Sequence, residues 1–172
     1  MTSSLSTPGR WRRFACMMYE SVLLFGVIFT ASYLFDTLTQ SRSGLDLRYG
    51  RQLVLFLALG VYFILSWRRL GQTLPMKTWN IRLVDIYGRI PALHMLVLRY
   101  MLIWPLPLLG ALLIKQLSTY TGYASTDLLI VFTPFLNFIW TWFDTDQQFL
   151  HDRLSKTRLI DARPARRATP AA

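Results

Sequence analysis

Apolar residues along this chain gather into four blocks, with the charges pushed to their edges. Phe14 to Leu38 is interrupted by Glu20 and, near its end, by Asp36. Gln52 to Trp67 is uncharged between Arg51 and Arg68, Tyr100 to Ile114 between Arg99 and Lys115, and Leu128 to Phe143 between Asp127 and Asp144. A soluble helix instead spreads its polar residues along one face. Crossing a bilayer core takes roughly 20 apolar residues at about 1.5 Å rise each. The last three runs hold 15 or 16. Their flanking Arg and Lys can bury their stems and lift their charges to the headgroups, which lengthens the usable span. The uncharged stretch Gln116 to Thr126 lends neutral ends to the third and fourth. The pattern predicts an all-α membrane protein of four transmembrane helices, near 14–38, 52–67, 98–115 and 126–143. They form one domain, 1–161, followed by an Ala-, Pro- and Arg-rich tail, 162–172, expected to be disordered.

The connectors add detail. Trp79 to Asp85 alternates loosely and is followed by the turn signal Ile86-Tyr87-Gly88, which predicts a strand, a turn and a second strand ending near Pro91. Thr157 to Ile160 is another short β-favouring run. A lone hairpin is marginal in water, so the expectation is a small cytoplasmic β-hairpin or three-stranded sheet. Pro75 stops the second helix. Pro105 and Pro107 lie inside the third apolar run and Pro134 inside the fourth. Each frees a carbonyl that in lipid must find another partner, so these prolines shape the packing or line a cavity.

Composition agrees with the pattern: 53% of residues are hydrophobic and 16% charged, against about 25% charged in ordinary soluble domains. The net charge of +10 raises the question of nucleic acid. A nucleic-acid binder concentrates its basic residues on one face, whereas these sit in connectors and at the ends of apolar runs, so no nucleic-acid partner is expected. Fifteen of them fall in the N-terminal segment, the second connector with Arg99, and the C-terminal tail; Arg42, Arg48, Arg51 and Lys115 are on the other side. Such a bias places both termini in the cytoplasm. Trp67, Trp79, Trp104, Trp140 and Trp142 near span ends fit interfacial anchors. The first run exceeds a signal-peptide core and carries Glu20 early, so it reads as an anchor. One cysteine, Cys16, excludes an internal disulfide and a cysteine-cage metal site.

Glu20 is the first candidate for chemistry, because a carboxylate inside a span costs several kcal/mol unless paired, hydrated or protonated. Arg13 is seven residues before it, on the same face but about 10 Å away along the axis, too far to touch. Two readings of Glu20 stand: a proton- or cation-binding acid, or a structural ion pair with Arg99. Asp144, Asp146, His151 and Asp152 form a second polar cluster; Asp144, His151 and Asp152 are read as a latch against Arg82 or Arg89 rather than a metal site, since neighbouring helical residues diverge. His94 has no role. Thr133 and Asn137 offer oxygens to an ion pathway. Asp127 has no basic partner that the sequence identifies. Zinc-protease, phosphate-loop and nucleophile motifs are missing, so neither enzyme activity nor a cofactor or bound metal is expected.

Three blocks in this order and spacing resemble the RDD family of small bacterial membrane proteins, named for one Arg and two Asp. They are Arg12-Arg13-Phe14-Ala15, with an acid seven positions after Arg13; Gly71-Gln72-Thr73-Leu74-Pro75-Met76-Lys77, followed by Ile81-Arg82-Leu83-Val84-Asp85 and Gly88; and Phe143-Asp144 through His151-Asp152-Arg153-Leu154 to Thr157 and Arg158. The resemblance covers roughly residues 12 to 160 and implies a polytopic protein of the bacterial inner membrane, with transport the usual suggestion for the family. The helix-one acid here is Glu20, where the family usually has Asp. Two functions follow as expectations. One is cation/proton exchange through Glu20, in a homo-oligomer because four helices are few for a full path. The other is a non-transporting module that binds partner proteins or lipids through its basic cytoplasmic face.

Overall fold

In the computed structural model, residues 6–40 and 47–163 are described. Arg42, counted in the charge bias, and all of the predicted tail beyond Arg163 lie outside them. The chain is mostly helical. Four helical stretches, Arg10–Thr39, Arg48–Thr78, Leu93–Thr121 and Ala124–Trp142, are long and apolar enough to cross a membrane. The first is one helix, α1 (Arg10–Thr39). The second is α2 (Arg48–Leu70) with the short α3 (Leu74–Thr78). The third begins five residues before the predicted boundary and is two helices, α4 (Leu93–Ile103) and α5 (Pro105–Thr121), parted at Trp104.

The fourth span departs furthest from expectation. Ala124–Phe135 and Trp140–Trp142 wind as 3₁₀ helix around a single α turn, α6 (Leu136–Ile139). A 3₁₀ helix rises about 2.0 Å per residue against about 1.5 Å for an α-helix. The 19 residues of this span therefore reach on the order of 35 Å, beyond a bilayer core of about 30 Å. A run that is short by residue count is long enough by its winding.

The prolines part the helices without leaving carbonyls bare. Pro105 has no N–H for the Met101 carbonyl, and the Trp104 N–H takes that carbonyl in a tighter turn at 3.4 Å. Pro107 likewise leaves the Ile103 carbonyl free within its helix. Asn137 Nδ2, from the fourth span, donates to it at 3.0 Å. Next to Pro134, the Thr133 hydroxyl donates to the Ile130 carbonyl at 2.8 Å. Gly110 lets these spans meet closely: a Cβ there would be 2.3 Å from Leu136 Cδ1.

The sheet is smaller than the sequence suggests and joins segments far apart in it. β1 (Ile81–Asp85) pairs antiparallel with β2 (Thr157–Asp161), with Leu83 opposite Leu159. The strand expected between Ile86 and Pro91 does not form. Asp85 Oδ1 instead accepts the N–H groups of Tyr87 at 2.8 Å and Arg89 at 2.9 Å, while the Asp85 N–H bonds the Arg89 carbonyl at 2.8 Å. The chain is folded back on Asp85 before a second strand can extend. Those backbone donors, with Arg89, outweigh the effect of desolvation and hold the Asp85 carboxyl below its ordinary range.

Both described ends of the chain meet beside this sheet. The Asp161 N–H donates to the Ser6 carbonyl at 2.9 Å, and Arg12 bridges the Asp161 carboxylate at 2.6 Å and the Trp79 carbonyl. The first two residues of the predicted tail are part of this clasp, Ala162 donating to the Asn80 carbonyl at 2.8 Å and Arg163 pairing with Asp161 at 2.6 Å. At the opposite ends of the helices, Arg51 joins Asp36 at 2.6 Å and Lys115 joins Asp127 at 2.7 Å. Asp127 thus has the basic partner that its sequence context did not identify.

Burial is inverted relative to a soluble protein. Leu38, Phe25, Val22, Leu57, Leu112, Val131 and many other apolar side chains face outward. A small apolar core of Trp67, Leu83, Leu96, Tyr100 and Phe149 lies next to buried polar groups: Arg13, Thr73, Arg99, Asp144, Gln148, His151 and Asp152. Trp67 is in this core, not at an interface as expected from its place near a span end. The outward apolar surface makes the surrounding lipid part of the structure, because in water it would be an aggregation surface.

Candidate functional site

The site is assembled where α1, the end of α2, α4 and the short α7 (Leu150–Leu154) converge. Local sequence explains how each part arrives. α2 ends at Gly71 with φ +66°, a left-handed conformation suited to glycine, and the Gly71 carbonyl accepts the Leu83 N–H at 2.7 Å. Two residues later Thr73 caps α3, whose second residue is Pro75. Thr favours this capping position, and proline is at ease in a first turn. This turn delivers the Thr73 hydroxyl to α1.

There Thr73 Oγ1 donates to Glu20 Oε2 at 2.5 Å, and Tyr62 Oη donates to Glu20 Oε1 at 2.7 Å. Each oxygen of half-buried Glu20 therefore has one hydroxyl. The direct ion pair with Arg99 that the sequence left open is not formed. Arg99 Nε instead bonds Asp152 Oδ1 at 2.7 Å, with its guanidinium 4.2 Å from the Trp67 ring centroid. Both partners of that pair are almost fully buried. Arg99 acts on Glu20 only through its field.

Arg13 is buried as well, at 1% exposure. Its Nη1 donates to the Gln147 carbonyl, and its guanidinium is 5.4 Å from the Phe149 ring centroid. The acids whose charges act on it are Asp152 and Asp144. The aromatic ring of Phe149 also stacks on His151, with centroids 5.2 Å apart and planes at 9°. Burial, partly offset by Asp152 and reinforced by Arg99, pushes His151 down to about 3. The imidazole is therefore neutral at physiological pH.

The latch reading of the second polar cluster needs new partners. Asp144 pairs with Arg153 at 2.5 Å and accepts the Gln148 N–H at 2.8 Å, and Asp152 pairs with Arg99. Arg82 and Arg89, the partners proposed from sequence, are exposed, and Arg89 lies 3.5 Å from Asp85. The structure thus bonds Arg99 to Asp152, sets Arg13 within the fields of Asp152 and Asp144, and leaves Arg99 as the charged residue whose field reaches Glu20. Thr133 and Asn137 lie apart from this cluster, each bonded to a backbone carbonyl as described above. Sequence reasoning missed Tyr62 and Thr73. Thr73 carried a usable signal in its capping pattern, Thr followed two residues on by Pro, but Tyr62 carried none. Among the described residues, no group of His, Cys, Asp and Glu is placed to hold a metal ion.

Four apolar spans, a proline-freed carbonyl taken up by a side chain of the next span, and a buried polar cluster define a polytopic membrane protein. The RDD family model matches residues 7–156. The chain belongs to the RDD family, whose members are small membrane proteins. No curated protein and no solved structure matches it.

Proposed function

We propose that this protein is a transport-type membrane protein of cation/proton exchange, with Glu20 as the ion-coupled acid. The observation that carries this reading is the nature of Glu20's partners. The other two acids within spans among the described residues, Asp36 and Asp127, each face a basic side chain. Glu20 faces two hydroxyls. A hydroxyl donates to a carboxylate and accepts from a carboxylic acid equally well. The same two partners therefore hold Glu20 charged or neutral, as a carrier of alternating proton and cation requires. With the proton gone, the carboxylate, Tyr62 Oη and Thr73 Oγ1 form an oxygen set suited to a hard monovalent cation.

The orientation in this reading puts both ends in the cytoplasm. Arg68, Arg69, Lys77, Arg82 and Arg89 lie at the sheet-bearing end, where the chain ends meet, and a basic excess belongs on the cytoplasmic face. The membrane is then the bacterial inner membrane. A single four-helix chain gives a short path, so the working unit is a homo-oligomer. The exposure of the same arginines favours the second reading, a non-transporting module that docks partner proteins or lipids.

Reconstituted liposomes distinguish the two. Internal pH should respond to a sodium or potassium pulse, and Glu20→Gln, with wild-type helicity and elution volume, should abolish the response. A wild type without flux that co-purifies with one partner would favour the docking module. Undiminished exchange in Glu20→Gln would remove Glu20 from the mechanism.

A further inference from the structure

Around the Arg99–Asp152 pair, several buried polar atoms have no protein partner among the described residues. Arg13 Nε and Nη2, Asp152 Oδ2 and His151 Nδ1 are all shielded from the outside and unbonded. They belong to residues that are 1%, 0% and 6% exposed. A buried polar group without a hydrogen bond costs about 1–3 kcal/mol, more if charged; Asp152 is the leading charge acting on Arg13 and lies 3.6 Å from His151, so these atoms call for an occupant. We infer that Arg13, Asp152 and His151 enclose an internal hydration site, in which ordered water joins the open edge of Arg13 to Asp152 Oδ2.

The chemistry of the four atoms selects water over an ion. Nε and Nη2 form one edge of the guanidinium, the fork that takes two acceptor contacts. Asp152 Oδ2 is an acceptor. His151 Nε2 is 3.6 Å from Asp152 Oδ1; with the proton of the neutral ring on that nitrogen, Nδ1 is an acceptor too. The set therefore holds two donors and two acceptors. A small anion would satisfy the Arg13 fork and be repelled by Asp152. A cation would satisfy Asp152 and be repelled by Arg13. Water donates and accepts, and needs two to four polar partners of this kind. Folded proteins hold roughly one buried water per 27 residues, so such a site is in proportion for this chain.

The position gives the water a role. Arg99 links the site to Glu20, bonding Asp152 while its field reaches the Glu20 carboxylate. Water here shortens the dry distance a proton must cross from the sheet-bearing end to Glu20. That role rests on the exchange reading above; the hydration site does not.

The test is water-to-protein polarisation transfer by solid-state NMR on the full chain in lipid bilayers, with isotope-labelled arginine. Arg13→Lys and Arg99→Lys identify the two signals by their loss. Arg13 Nε–H should be polarised from bound water several times faster than Arg99 Nε–H, which is occupied by Asp152. Should either variant fail to fold, a density map of the wild type answers the same question through an ordered water within hydrogen-bond reach of Arg13 Nε or Nη2. Equal, slow transfer at both arginines would overturn the inference. So would a direct Arg13–Asp152 pair, or an Arg13 signal that shifts with chloride, phosphate or sodium concentration. The readout involves no flux, so an inert Glu20 leaves it intact, and a dry Arg13 leaves the liposome test intact.

Discussion

Replacing Asp152 with leucine removes the acid that, among the described residues, bonds Arg99, and leaves a guanidinium buried against Trp67 with no bonded counter-charge. The pair is 2.7 Å long, with side chains 6% and 0% exposed, so neither partner can relax into solvent without breaking the core around Tyr100 and Leu96. Removing one member of such a buried pair costs about 3–5 kcal/mol, because the surviving charge keeps its desolvation penalty and loses its compensation. The Trp67 ring, 4.2 Å from the guanidinium, returns only about 1–2 kcal/mol of that. Arg99→Met should cost a similar amount, since it strands the Asp152 carboxylate. The double variant Arg99→Met/Asp152→Leu should recover most of the loss, because replacing both partners by apolar groups is often neutral. Reversible denaturation in mixed micelles, followed by helicity and tryptophan emission, measures all four proteins and gives the coupling energy from the cycle. A Asp152→Leu cost below about 1 kcal/mol, or a double variant as unstable as the sum of the singles, would refute the claim that this pair is a desolvated, mutually dependent unit.

Other changes probe other parts of the molecule. Asn137→Leu leaves the Ile103 carbonyl unpaired beside Pro107 and should destabilise the protein by about 1–3 kcal/mol, read in the same assay. Pro107→Ala in that background should restore stability by closing the helix over the carbonyl. Gly71→Ala forces φ +66° on a residue with a Cβ and places that atom 2.8 Å from the Leu83 carbonyl. The left-handed conformation alone costs about 1–2 kcal/mol, and Gly71→Ala should therefore lower the unfolding midpoint more than a Gly9→Ala control. For His151, burial holds the folded state down at about 3, whereas the unfolded chain titrates at the ordinary histidine value of 6.5. The unfolded state thus binds more protons between these values, and stability falls as pH drops from 6.5 toward 3. His151→Phe, which keeps the stack on Phe149, should flatten that part of the pH–stability curve.

Much of this molecule was legible in its order of residues. Four apolar blocks bounded by charges are a statement about transfer from water to lipid, and that depends on composition over about 20 positions, not on packing. The prolines announced freed carbonyls, and the blocks around Arg13, Gly71 and Asp144 carried the family resemblance. Local winding was less legible. The 3₁₀ winding of the fourth span left no mark in its apolar pattern, and the missing second strand turned on one Asp85 carboxylate reaching back to two N–H groups.

By itself the sequence determined that this chain belongs in a membrane and that a carboxylate inside its first span must be stabilised by something. Only the tertiary structure decided by what. Tyr62, Thr73, Arg99 and Asp152 lie 42, 53, 53 and 53 residues from the atoms they bond, and partners so distant are chosen by how helices pack, not by any local pattern. Hydropathy sums over a segment, whereas a hydrogen bond falls away within fractions of an ångström. The first is therefore written along the chain, and the second exists only once the chain has folded.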